Sequence, residues 1–190
     1  MNYVNTVTGP VAASELGRTL MHEHFLFGFC GFQGDATLGG FKEEEYTRDC
    51  LKAVEDARAY GINTIVDATT NECGRNVRFL KKISDMTGMN IICSTGYYFQ
   101  AESAYAYWNF RRGFANIEEE IYEMMVTELT KGIEGTDIKA GASNWQAASM
   151  KLHLQRKSSS KPLHVLRRKP DVSSLPTHSS AQWALNRHSS

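Results

Sequence analysis

Residues 62–95, INTIVDATTNECGRNVRFLKKISDMTGMNIICST, place two short apolar runs on either side of a helical pattern. INTIVDA, 62–68, is compact, rich in β-branched residues and bounded by the polar TTNECG, which suits a strand buried on both faces. Residues 75–87 read as a helix that Gly88 ends, and MNIICST, 89–95, is a second buried strand. A strand, a helix and a strand in this order imply parallel pairing through a right-handed crossover.

The same grammar extends both ways. Upstream, residues 18–24 form a short β-rich run, and 43–60 open on acids, where a helix N-terminus favours them, before placing Leu51, Val54 and Ala57 at helical spacing. Downstream, Ile117, Ile121, Met125 and Leu129 recur every four residues along a third helix that stops at Gly132. The expected fold class is therefore α/β. The order of elements alone does not separate a barrel from a doubly wound sheet.

Composition bounds the rest. The net charge is formally zero and apolar content is ordinary, so nothing points to a membrane span or a disordered chain. MNYVNTVTGP lacks a basic leader and a long apolar run, so secretion through a signal peptide is not expected. Cys30, Cys50, Cys73 and Cys93 are scattered without CxxC spacing and read as buried free thiols of a reducing, cytoplasmic setting.

The zero total hides an asymmetry. Residues 1–141 carry 13 Lys and Arg against 20 Asp and Glu, whereas 142–190 carry 8 against 1, so the balance moves from −7 to +7. The second part is serine-rich and shows neither helical nor strand period. It is expected to be an irregular or disordered basic tail.

GRTLMHEHFLF, 17–27, carries His22 and His24 one residue apart. On a strand, side chains at i and i+2 share a face, roughly 6–7 Å apart, so two neutral imidazoles can converge on one divalent cation. An HxH pair alone is also compatible with two hydrogen-bonded or partly exposed histidines. Asp67, at the end of its strand, is expected to hydrogen-bond the following loop. Gly74-Arg75-Asn76 reads as a structural turn, because one glycine is no phosphate cradle. YAYWNFRRGF, 105–114, is aromatic and basic, but no fold signal for nucleic-acid binding accompanies it.

Taken together, GRTLMHEHF, INTIVDATTNECGRNVRFLKKIS, IICSTGYYF and ELTKGIEGTDIKAG resemble the phosphotriesterase family of the amidohydrolase superfamily, over residues 3–141. The resemblance implies the N-terminal portion of a (β/α)8 TIM barrel, incomplete at this length, with its active site at the C-terminal ends of the strands. It implies two divalent metals per site, zinc-like, bridged by a carboxylated lysine and a hydroxide, with His22 and His24 on the more buried metal and Glu23 not a ligand. Such a metal pair activates water for attack on a phosphotriester or lactone. Tyr97 and Tyr98 fall where the lactone-hydrolysing branch carries a tyrosine near the metals, though an aromatic packing a loop fits equally. The resemblance further implies a small-molecule ester or lactone as partner, no nucleic acid or membrane, a loop at 105–114 near the active-site mouth, and frequent homodimers.

After KAG the family continues with a strand of the type IIKLASS, whose lysine becomes the bridging carbamate. Here ASNWQAASM follows Gly141. If two nucleotides are dropped from the Ala142 codon, the shifted frame forces leucine across Asn144 and Trp145 and alanine across Trp145 and Gln146. It permits isoleucine and lysine before them and two serines after. The expectation is that residues 1–141 are part of a phosphotriesterase-like barrel and that 142–190 are the product of a frameshift. His153, His164, His178 and His188 lie in that second part and are not assigned as ligands. On this reading no catalytic set is intact, and the chain is expected to be inactive and poorly folded.

Overall fold

The computed structural model describes residues 2–37, 39–97 and 105–145. All of them belong to the compact unit Met1–Met150. The residues from 146 onward, with the four later histidines, and Tyr98 lie outside the described residues.

A hairpin of β1 (Tyr3–Thr6) and β2 (Gly9–Ala12) opens the chain, an element with no counterpart in the sequence reading. Then follow β3 (Thr19–Glu23), α1 (Glu43–Ala59), β4 (Thr64–Asp67), α2 (Val77–Thr87), β5 (Asn90–Tyr97), α3 (Tyr105–Arg111), α4 (Ile117–Thr130) and β6 (Ala142–Trp145). The order β3-β4-β5-β6 makes one parallel sheet in chain sequence, the arrangement of half a barrel.

Local chemistry accounts for the helices. Asn76 accepts from Phe79 N at the start of α2, and Gly88, at φ 70°, closes it with its N–H on Ser84 O. Glu43–Glu45 and Glu118–Glu120 stand in the first turns of α1 and α4, where the helix dipole favours them. Val54, Leu80, Ile83, Ile65, Ile91, Cys93, Ile133 and Ala140 form the core between helices and sheet. Val66 and Ile92, which alternate with Ile65 and Ile91, are buried as well, so β4 and β5 have both faces covered at these positions. The hairpin is tied to the sheet by Val7 N donating to Ile91 O and Asn5 Nδ2 to Ala140 O.

Two expectations are corrected. Residues 105–111 form a helix rather than a loop, because Trp108 packs edge-on against Tyr97 and Arg111 pairs with Glu120 of α4. Irregular chain does not begin at 142 either: Ala142–Trp145 is a strand in register with Ser94–Tyr97 of β5. A backbone ladder does not depend on side-chain identity, and Gly96, at φ 122°, lets β6 approach; a Cβ there would lie 2.0 Å from Asn144 O.

The thiols divide three to one. Cys50, Cys73 and Cys93 are buried, and burial pushes the Cys50 and Cys93 thiols up to about 12, whereas Cys30 is exposed, contrary to expectation. Because only a thiolate attacks, an aromatic disulfide reagent at pH 8 is expected to titrate one cysteine quickly and the others only in denaturant. Rapid reaction of three or four thiols in the folded protein would refute this packing.

Candidate functional site

The site is built where the chain leaves β3 and β4. A shift of register between Leu20 and Glu23 lets the end of β3 turn, so His22 is on the strand and His24 just past it. Their rings nevertheless meet, with centroids 5.2 Å apart and planes at 77°. Phe27 packs edge-on against His24 from the following loop.

Four contacts stitch the two strand ends together. Ala68 N donates to Glu23 O, Phe25 N donates to Asp67 Oδ2, and Thr69 Oγ1 donates to Leu26 O. Thr69 Oγ1 also lies 2.9 Å from His24 Nδ1. Asp67 accepts a further bond from Thr69 N at 2.9 Å, which is the bonding to the following loop expected from its position. This carboxylate is fully buried, and burial raises its pKa in spite of the bonds it accepts.

His24 keeps part of its surface exposed, yet its imidazole is crowded enough that desolvation, with His22 as the lesser cause, lowers its pKa to about 4. At neutral pH it is uncharged, the state a metal ligand requires. The two imidazoles thus fit as a ligand pair for a divalent cation. They do not close a centre: among the described residues no group of three or more His, Cys, Asp or Glu is gathered to hold one. Glu23 has contacts of its own at the end of β3.

Tyr97 stands at the C-terminal end of β5. Thr95 donates to Glu128 of α4, and Tyr97, two residues on, shares that side of β5. Its hydroxyl donates to Met124 Sδ at 3.3 Å and accepts from Asn71 Nδ2 at 3.5 Å. Among the described residues no hydrogen bond or ring contact links it to either histidine. It lines an open groove with Asn71, Trp108, Arg111, Glu120 and Met124.

Sequence reading missed the role of Arg75, which it took for part of a turn. Its guanidinium grips Glu128 with Nη1 on Oε2 at 2.8 Å and Nη2 on Oε1 at 2.6 Å, and also donates to Ser94 O. The side chains are 1% and 9% exposed. The helical spacing of α4 puts Glu128 beside Leu129, but nothing local to either residue announces that they meet across 53 positions.

Asn144 lies on β6, third after Gly141. Its amide donates to Ala68 O at 2.6 Å, at the end of β4 and beside the stitched loops.

Comparison with known proteins agrees with this architecture. The family model described as "Phosphotriesterase family" matches residues 2–154. A phosphotriesterase-related protein of Nematostella vectensis is 36% identical over 165 residues, covering 72% of this chain and 45% of the relative. The solved organophosphorus hydrolase of Deinococcus radiodurans is 49% identical with a TM-score of 0.72, over 74% of this chain and 42% of that one. A variant of a phosphotriesterase-like lactonase from the same organism gives 48% and 0.71, over 74% and 44%. This chain thus spans less than half the length of the relatives it matches. With the motif order, the parallel half-barrel and the family match in agreement, the chain belongs to the phosphotriesterase family.

Proposed function

We propose that this chain carries the first two metal ligands, His22 and His24, of a hydrolase of the phosphotriester and lactone class, and that it is not catalytically competent as it stands. The observation that carries the reading is the pair of imidazoles at the C-terminal end of β3, with His24 uncharged and its Nδ1 engaged by Thr69. Two neutral nitrogen donors suit zinc better than a hard cation. A bound metal would supply an activated water and polarise a phosphoryl or carbonyl oxygen. The chain's own part is to hold the imidazoles neutral and oriented, through Asp67 and Thr69.

Among the described residues no third His, Cys, Asp or Glu joins this pair to hold a metal. Two imidazoles without the bridging carbamate bind metal weakly and build no bridged pair. We retain the frameshift as the origin of residues 142–190; the strand at 142–145 is compatible with it, because a ladder tolerates foreign side chains. The gene's nucleotide sequence tests that origin: a corrected frame that opens no long family-like continuation overturns it. We place the protein in the cytoplasm, with a frame-corrected homodimer as the active form.

The chain as it exists is expected to retain at most one zinc, weakly, and to hydrolyse neither a chromogenic phosphotriester nor a lactone. About two tightly held equivalents, with hydrolysis that a chelator abolishes, would overturn the reading. His22→Ala and His24→Ala are each expected to remove the residual binding. A lactone is the second substrate reading, favoured by the lactonase-like relative. Comparing both substrates on the frame-corrected protein, with Tyr97→Phe and Tyr98→Phe, separates the two.

A further inference from the structure

Thr69 Oγ1 has a single proton and three neighbours. Leu26 O at 3.1 Å is a carbonyl that can only accept, the Asp67 carboxylate is a second acceptor, and His24 Nδ1 at 2.9 Å can do either. If the hydroxyl donates to the carbonyl, its lone pair faces the ring, and Nδ1 must then carry the hydrogen. The reverse arrangement would leave Leu26 O without this donor and turn the ring's proton to Nε2. We propose that Thr69 is a positioning residue that fixes His24 as the Nδ1–H tautomer and thereby assigns Nε2 as the nitrogen offered to a metal.

The rest of the stitching supports this assignment. Asp67 holds both partners by their backbones, accepting from Thr69 N on one oxygen and from Phe25 N, next to His24, on the other. The hydroxyl and the imidazole are therefore brought together by main-chain bonds that do not depend on a metal being present. The tautomer is set before any cation arrives, and the ring need not rotate to receive one. Phe27, edge-on to His24, blocks one route of ring reorientation.

The inference rests on the metal-ligand reading only for what Nε2 does; the tautomer itself can be read without metal. Two-bond nitrogen–proton correlation spectra of the full chain, with the His24 signal assigned by its loss in His24→Gln, are expected to show Nδ1 protonated. Thr69→Ser keeps the hydroxyl and is expected to keep that pattern. Thr69→Val keeps the shape, and is expected to return the ring toward the Nε2–H form and to weaken zinc binding about 10–100-fold. An Nε2–H ring in the parent chain, or an Nδ1–H ring that persists in Thr69→Val, overturns the proposal. Zinc bound normally with the tautomer reversed overturns it too while leaving the metal reading intact. The expected tautomer in a chain that binds no zinc upholds the positioning by Thr69 and removes the metal reading instead.

Discussion

Glu128→Ala is expected to destabilise the protein by about 3–5 kcal/mol, measured as a drop in the midpoint of urea unfolding at unchanged slope. Arg75 is fixed on Glu128 by two hydrogen bonds of 2.8 and 2.6 Å with 1% of its side chain exposed. Removing the carboxylate therefore strands a guanidinium in the core. The penalty is that of an unpaired buried charge, not the modest net worth of the pair, and Glu134, at 3.6 Å and half exposed, is placed to offset only a part. Thr95 loses its acceptor at the same time. Replacing both partners, Arg75→Met with Glu128→Leu, is expected to cost clearly less than the sum of the single changes, since no charge is then left behind. A cost below about 1 kcal/mol for Glu128→Ala, the range of exposed pairs, would show that water reaches this network.

The second large effect is at Asp67. Its two oxygens satisfy Phe25 N and Thr69 N at 2.9 Å each, and alanine would leave both amides orphaned at a fully buried position. At about 1–3 kcal/mol for each unsatisfied group, Asp67→Ala is expected to cost about 2–6 kcal/mol. It also frees the loop that carries His24. The pH dependence has a definite sign. Burial raises the native pKa above its ordinary value of 3.8, so folding takes up a proton in the window between the two values. The contribution of Asp67 is complete below 3.8 and declines as pH rises through that window. The difference in unfolding free energy between parent and Asp67→Ala is thus expected to be larger at pH 4 than at pH 7. A difference that grows with pH would mean the carboxylate is stabilised as the ion by its two N–H donors.

Both effects lie at residues whose roles the sequence discloses unequally. Asp67 closes an apolar β-branched run, so its place at a strand end and its bond to the next loop are legible. That its second oxygen holds Phe25, 42 residues earlier, is not. Arg75 follows a glycine and precedes a helix cap, and the turn this spells is real: Gly74 is left-handed at φ 86° and Asn76 caps α2. The turn hides the more consequential fact that the arginine points inward. Tyr97 shows how far a strand position reaches: the sequence leaves open both a place near a metal and packing against a loop, and it does not say that the hydroxyl meets Asn71 and Met124.

By itself the sequence determined the parallel β-α order, the helix ends and the adjacency of His22 with His24, because periodicity, caps and an i, i+2 spacing are local properties that neighbouring residues express. Only the tertiary structure decided which strand ends are stitched together, that Arg75 meets Glu128, that Cys30 alone of the thiols is open, and that Ala142–Trp145 continues the sheet. These are long-range contacts. Their energy comes from burying charge and backbone against partners tens of residues away, and no short window of sequence contains both halves of such an interaction.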